Sequence, residues 1–427
     1  MKEKQSKNNG KVWMIVSIFL IVVIVAFVVG YIMKNKDNDG GDVLMATPTP
    51  SSTEFVANTA VPPTETPAPT PTPTLASGDL VEYKGTVEHI FTHSLIAFPE
   101  LAYVQTDKTA LVKSTYFQDC VTATEYKRFL ELLYEGNYVM VNLNDVYEKT
   151  DTGYRMKSFM FPKGKKPVVL SFDDVCYYSD KMGNGMVDKL ILNSQGKVVS
   201  YTKMKDGSEV VSDDNEFVPI IDNFVAEHPD FSFNGAKGMI CLTGFDGILG
   251  YRTQRESPNR NSEIEAVKPV IQALKDTGWY FSSHSYKHGH MANYTVADME
   301  DDADKWQNEV EPLIGPTSIY VYPYGDYIKT GPVHQVLLDH GFNFFCGVGA
   351  DAYTATRADM GNVILQDRMN FDGVCLTLNQ ERIFFDRSDP TKPRFPTLDF
   401  TKIYDADERK ISLEEAIPIM KQIHGIS

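Results

Sequence analysis

Residues 167–175 read PVVLSFDDV. The run from Pro167 to Phe172 is short and apolar, the pattern of a strand buried on both faces, and such strands belong to parallel sheets covered by helices. Asp173 and Asp174 follow directly, at the strand end where parallel α/β folds collect their reactive groups.

The flanks repeat the pattern. Upstream, Thr122 and Glu125 form a capping box before Tyr126, Phe129, Leu130 and Leu133, an apolar stripe at helical spacing that stops at Gly136. YVMVNL, from Tyr138, reads as a strand. Downstream, AKGMICLT (Ala236 to Thr243) is another buried-strand run. Ser262 with Glu265 predicts a second capped helix, with Ile264, Val267, Ile271 and Leu274 on one face and Gly278 as its stop. WYFSSH, SIYVYPYG and NFFCGVG are further strands, separated by helical stretches near residues 296–310 and 332–340. Repeated strand–helix units predict an α/β fold built on a parallel sheet, open or closed into a barrel. The polar stretch at about 177–214 interrupts them and reads as a hairpin insertion turning at Gln195-Gly196.

Further out, the texture changes. Val12 to Met33 is 22 residues without a charge, long enough at ~1.5 Å per residue to cross the ~30 Å hydrocarbon core of a bilayer. It exceeds the ~7 to 15 residues of a signal-peptide core, and no small-residue cleavage site follows. Lys2, Lys4, Lys7 and Lys11 precede it against Glu3 alone, which predicts a cytoplasmic amino terminus. Residues 1–36 then form a stub and signal anchor of a single-pass plasma-membrane protein whose remainder is extracellular. Thr47 to Thr74 holds 8 of the 23 prolines, so residues 37–79 read as an extended, solvated linker, with residues 80–427 as the folded domain. The chain is 42% hydrophobic and carries a net charge of −16, which excludes general disorder and argues against a nucleic-acid partner. Its 5 cysteines include no Cys-x-x-Cys, so neither a zinc ribbon nor a dense disulfide framework is expected.

Three strand ends carry groups capable of chemistry. In LSFDDV, a cation beside Asp173 and Asp174 would keep one carboxylate ionised as a ligand and leave the other as a base. In SSHSYKHGH, His284 and His288 stand at i and i+4 and can face one cation, with His290 an alternative to either. Two histidines and an aspartate leave room for water, the pattern of a catalytic metal site. In VYPYGDY, Pro323 fixes a turn that could aim the Tyr324 N–H into the site.

Taken in order, SFDDV, HSYKH and YVYPYG resemble the T/S-F-D-D-G, H-S/T-x-x-x-H and R-x-P-Y-G motifs of the polysaccharide deacetylase family, the NodB-homology domain of carbohydrate esterase family four, over roughly Gly85 to Phe371. The resemblance implies a distorted (β/α) barrel in which Asp173 is the general base, Asp174, His284 and His288 bind a divalent metal (zinc, or cobalt, nickel or iron), and the Tyr324 N–H helps hold an oxyanion. The family's usual Leu-x-His acid is missing; only His424, in KQIHG, lies near the carboxyl end. EHIFTHSLI, however, resembles the Y-H-x-I strand of the circularly permuted branch that includes poly-N-acetylglucosamine deacetylases, which assigns the catalytic acid to His93. Val175 replaces the motif glycine and Val321 the motif arginine, and Arg368 in VILQDRM is the expected substitute partner for Asp173. The activity implied is removal of acetyl groups from a cell-surface or extracellular glycan containing N-acetylglucosamine. The alternatives are an O-acetyl esterase on xylan-like glycan and a non-catalytic glycan-binding module. The loop GFDGILGYRT (Gly244 to Thr253) could border a substrate groove. Trp279, Trp306, Tyr177, Tyr178 and Tyr286 are expected to pack in the core rather than on sugars.

Overall fold

The computed structural model of the protein describes residues 80–151, 153–349, 354–357, 363–378, 385–386, 389–393 and 402–426. The apolar run Val12–Met33 and the Thr/Pro-rich linker lie outside the described residues. Among the described residues no helix is long and apolar enough to cross a membrane.

Strands β1 (Glu88–Thr92), β2 (Lys166–Phe172), β3 (Met239–Leu242), β4 (Tyr280–Ser283), β5 (Ile319–Val321), β6 (Phe344–Val348) and β7 (Val363–Asn370) pair in parallel, each with the next, and β7 returns to β1. The parallel sheet read from the sequence is therefore a closed barrel. Closure depends on a fork at β2. Its amino half pairs with Tyr138–Met140, whereas its last residues, Ser171 and Phe172, pair with Met239 and Ile240 of β3.

Side-chain alternation along these strands separates two cores. Val169, Met239, Ile319, Val321, Phe344 and Ile364 pack inside the barrel. Their neighbours Leu170, Ile240, Tyr320, Phe345 and Leu365 pack outward against the helices. Toward the carboxyl ends the buried positions turn polar, with His89, Ser171, Gln366, Arg368, Asp173 and His284. Buried polar groups need hydrogen-bond partners, and the bonding of these residues defines the site.

The helix Ala123–Glu135 has the expected capping box, and Phe129 stacks on Phe371 at 3.9 Å. The second helix departs from expectation. It spans Arg260–Asp276 with Asn259 at its cap, and Ser262 lies inside its first turn, donating to the Asn259 carbonyl instead of capping. Gly278 does mark its end: its φ is 98°, and a Cβ there would lie 2.1 Å from the Gly235 carbonyl oxygen. The insertion is larger than one hairpin. Lys189–Leu192 and Val198–Lys203 pair across the expected turn, and Glu209–Ser212 adds a third antiparallel strand. Near the carboxyl end, Arg409 forms a fully buried ion pair with Glu125 and donates to the Phe117 and Cys120 carbonyls, fastening this segment to the rest of the domain.

Candidate functional site

Asp173 leaves β2 with its N–H bonded to the Thr92 carbonyl. Asp174 then adopts φ 61°, a left-handed conformation that turns two consecutive carboxylates toward different partners. Asp173 meets Arg368 in a two-pronged ion pair, with Nη1–Oδ1 at 2.7 Å and Nη2–Oδ2 at 2.8 Å. The guanidinium also donates to Ser171 Oγ at 3.1 Å and lies 4.2 Å from the Phe91 ring centroid. His89 completes this layer, with Nε2 2.8 Å from Ser171 Oγ and Nδ1 2.7 Å from Gln366 Oε1. Burial, followed by the neighbouring Arg368 charge, pushes the His89 imidazole down to about 3, so it is neutral. Burial alone would push the Asp173 carboxyl up, but Arg368 and then His284 outweigh it and hold Asp173 well below the usual carboxylate range. The arginine missing at Val321 thus has a counterpart two strands away.

Asp174, His284 and His288 converge, with their donor atoms all within 4.8 Å of one another. His284 Nε2 lies 3.8 Å and His288 Nε2 3.4 Å from Asp174 Oδ1. The His284 Nδ1–H donates to the Val321 carbonyl at 3.0 Å, which fixes the tautomer and leaves Nε2 with its lone pair. Burial pushes this imidazole down to about 4, which keeps that lone pair free. Val321 therefore serves the site through its backbone. The turn carrying His288 is strained, with Ser285 at φ 62° and His288 at φ 54°. Asp302, in the helix Val296–Glu309, holds it by accepting from Ser285 Oγ and from the Tyr286 and Lys287 N–H groups, each at 2.9 Å. The His288 N–H in turn donates to Ser285 Oγ. The Tyr178 hydroxyl donates to Asp174 Oδ1 at 2.7 Å. This donor set, one carboxylate and two oriented imidazoles, fits a divalent transition-metal ion.

His290 stands outside the cluster. It stacks on Tyr324 at 3.9 Å and meets Asp326 at 3.0 Å. Tyr324 has φ 57° and an exposed ring. His93, on the segment leaving β1, donates from Nδ1 to the Asp119 carbonyl at 2.9 Å. Burial opposes its cationic form, yet Asp174, Asp173, Asp119 and Asp372 outweigh burial and raise its pKa. His424 lies 3.0 Å from Gln118 at the end of the last helix, close to Asp119 but outside the ligand cluster. Asp173, Asp174, His93, His284, His288, Tyr324 and Arg368 all line one groove of about 950 Å³, together with Phe245 and Asp246 of the glycine-rich loop.

Val175 is fully buried, and its carbonyl accepts from the Leu249 N–H, joining the aspartate loop to the glycine-rich loop. Cys176 turns its thiol to Thr243 and is no part of the ligand cluster. Trp279, Trp306, Tyr177 and Tyr286 are buried, as expected; Tyr178 is half-buried at the groove. Asp302 was not singled out from the sequence. Its available signal was a charge in phase with Met299, Ala303 and Trp306, the buried face of its helix.

The fold and site together define a closed parallel (β/α) barrel that carries, at the carboxyl ends of its strands, a carboxylate–imidazole cluster able to hold a metal ion and an arginine-held aspartate. Residues 254–345, which include His284, His288 and Tyr324, match the family model for polysaccharide deacetylase. None of the curated proteins matches the sequence. Among solved structures, the chain is similar to the Streptococcus pyogenes deacetylase PplD in complex with acetate, at 12% identity over 68% of this chain and 93% of that one, TM-score 0.36. It is also similar to a family 4 carbohydrate esterase from Streptomyces lividans in complex with acetate, at 14% identity over 45% and 76%, TM-score 0.21. A third is the chitin deacetylase of the fungal pathogen Colletotrichum lindemuthianum, at 12% identity over 38% and 71%, TM-score 0.22.

Proposed function

We propose that this protein is a metal-dependent deacetylase that hydrolyses the N-acetyl groups of N-acetylglucosamine units in a cell-surface or extracellular glycan. The observation carrying this reading is that Asp173, held by Arg368, stands beside the Asp174–His284–His288 cluster in a groove that His93 also lines. A divalent cation on that cluster, zinc in this reading, would acidify water and draw charge from a carbonyl oxygen. Asp173, kept ionised and oriented by Arg368, takes the proton from the attacking water. A C–O bond forms as the amide C–N bond breaks, and acetate departs. His93, its Nδ1–H fixed on the Asp119 carbonyl, delivers a proton from Nε2 to the leaving nitrogen. The turn at Tyr324 supplies an N–H for the developing oxyanion.

An acid contributed by the segment after the first barrel strand corresponds to the circularly permuted arrangement of the family, which we adopt for this chain. We further assign residues 1–36 to a cytoplasmic stub and plasma-membrane anchor, 37–79 to an extracellular linker and 80–427 to the catalytic domain. The test uses the full chain in detergent, stripped with chelator and reloaded with zinc, cobalt or nickel, on N-acetylglucosamine oligomers and acetylated xylan. Free amine together with acetate is expected from the oligomers. Acetate from xylan alone identifies an esterase, and no release with any metal overturns the catalytic reading.

A further inference from the structure

Phe245 exposes 42% of its surface although it sits in a braced position. Its N–H and that of Gly244 both donate to the Tyr286 carbonyl at 3.0 Å. Asp246 accepts from the Ser179 N–H, and Arg252 bridges the Asp246 and Tyr177 carbonyls at 2.6 and 2.7 Å. The glycine-rich loop and the loop after Asp174 are thus laced together. Between them Phe245 stacks on Tyr178, with ring centroids 5.1 Å apart and planes 25° from parallel. Tyr178 uses its opposite end, the hydroxyl, to hold Asp174 Oδ1.

An exposed aromatic ring on a rigid mount offers a flat apolar face at little entropic cost on binding. Phe245 lines the same groove as Asp173 and Asp174, and Ser179, Asp180 and Lys181 stand along that groove with polar groups at their tips. The ligand that matches this surface has one face of C–H groups and a rim of hydroxyls, which describes a pyranose ring. We propose that Phe245, mounted on Tyr178, is a stacking subsite for a neutral hexopyranose unit adjacent to the one being processed, while the Tyr178 hydroxyl separately holds the carboxylate of the ligand cluster. The inference rests on the deacetylase reading and deepens it: the enzyme takes a chain of at least two sugar units.

The test crosses two variants of the full chain with two binding measurements. Metal-stripped protein is titrated with the N-acetylglucosamine pentamer by calorimetry, and sugar-free protein is titrated with zinc against a competing chelator. Phe245→Ala is expected to weaken pentamer binding tenfold or more without changing zinc affinity, and Phe245→Trp to restore it. Tyr178→Phe, which keeps the stack and loses the hydroxyl, is expected to weaken zinc binding and spare the pentamer. Unchanged pentamer binding in Phe245→Ala, in a protein that releases amine, overturns the subsite and leaves the deacetylase reading standing. Pentamer binding that depends on Phe245 in a protein that releases no amine supports the subsite and overturns the deacetylase reading. A wild-type protein that neither binds the pentamer nor releases amine overturns both.

Discussion

Arg368 and Asp173 are 195 residues apart in sequence and share two hydrogen bonds inside the barrel, where both are almost completely buried. Removing one member of such a pair leaves an uncompensated charge away from water, which costs about 3–5 kcal/mol. Arg368→Met is therefore expected to lower stability by that order. The folded-state pKa of Asp173 lies below its unfolded value, so the stability from the pair is fully present above the unfolded pKa of ~4 and fades as pH falls toward the folded value. Urea titrations of wild type and variant should converge toward acid; a stability gap independent of pH contradicts the account. With Arg368 gone, burial raises the base, so the acid limb of the rate profile should move to higher pH while metal affinity is retained.

His93→Ala should reduce turnover by ~10²- to 10⁴-fold, the usual loss for a general acid, and leave zinc binding intact. An acid must be protonated to act, so activity on its account falls as pH rises through its pKa, and the variant should lose the alkaline limb. The surrounding carboxylates raise this imidazole, so in metal-free protein its NMR titration should lie above ~6.5 and shift downward on adding zinc. A titration below that value, or unaffected by zinc, sinks the assignment.

Asp302 touches no ligand atom, yet it accepts three hydrogen bonds from the turn that carries His288. Asp302→Ala should lower zinc affinity by ~10- to 100-fold, the typical effect of losing a group that orients a ligand. Competition titration checks this, with circular dichroism to confirm the fold. Loss of stability with unchanged affinity would mean that Asp302 serves only packing.

Glu216 caps the helix Phe217–Glu227 from a fully buried position, and burial pushes its carboxyl up to about 8, only partly offset by the Phe217 and Leu95 N–H groups. The folded protein therefore binds a proton that the unfolded chain has released between pH ~4 and pH 8, and stability falls as pH rises through that window. Glu216→Gln should flatten this slope and make the protein more stable at pH 8, on the order of a few kcal/mol. Parallel slopes for the two proteins would show that Glu216 is already ionised.

Several features of this site were legible because each is local. The run before Asp173 is a strand by composition, and the i, i+4 spacing of His284 and His288 identifies them as a pair. Arg368 was reachable by noticing what Val321 lacks. Barrel closure was not, since the pairing of β2 with both Tyr138–Met140 and β3 depends on register between distant segments. The service that Val321 renders through its carbonyl carries no side-chain signature. Tyr178 read as one more core aromatic because its hydroxyl's partner depends on how Asp174 is turned. Ser262 satisfied the capping pattern, but the chain begins its helix at Arg260, placing that serine one turn too far inside.

All five cysteines are unpaired and buried. Burial raises their thiols, Cys176 and Cys346 to about 12, so they hold their protons and lack the thiolate an electrophile needs. The protein thereby carries its own clock of local opening. Under native conditions an alkylating reagent can reach Cys241 or Cys346 only when the barrel parts, and Cys375 only when the segment beside it lifts. The order in which the five thiols react would record, position by position, which part of the structure opens first.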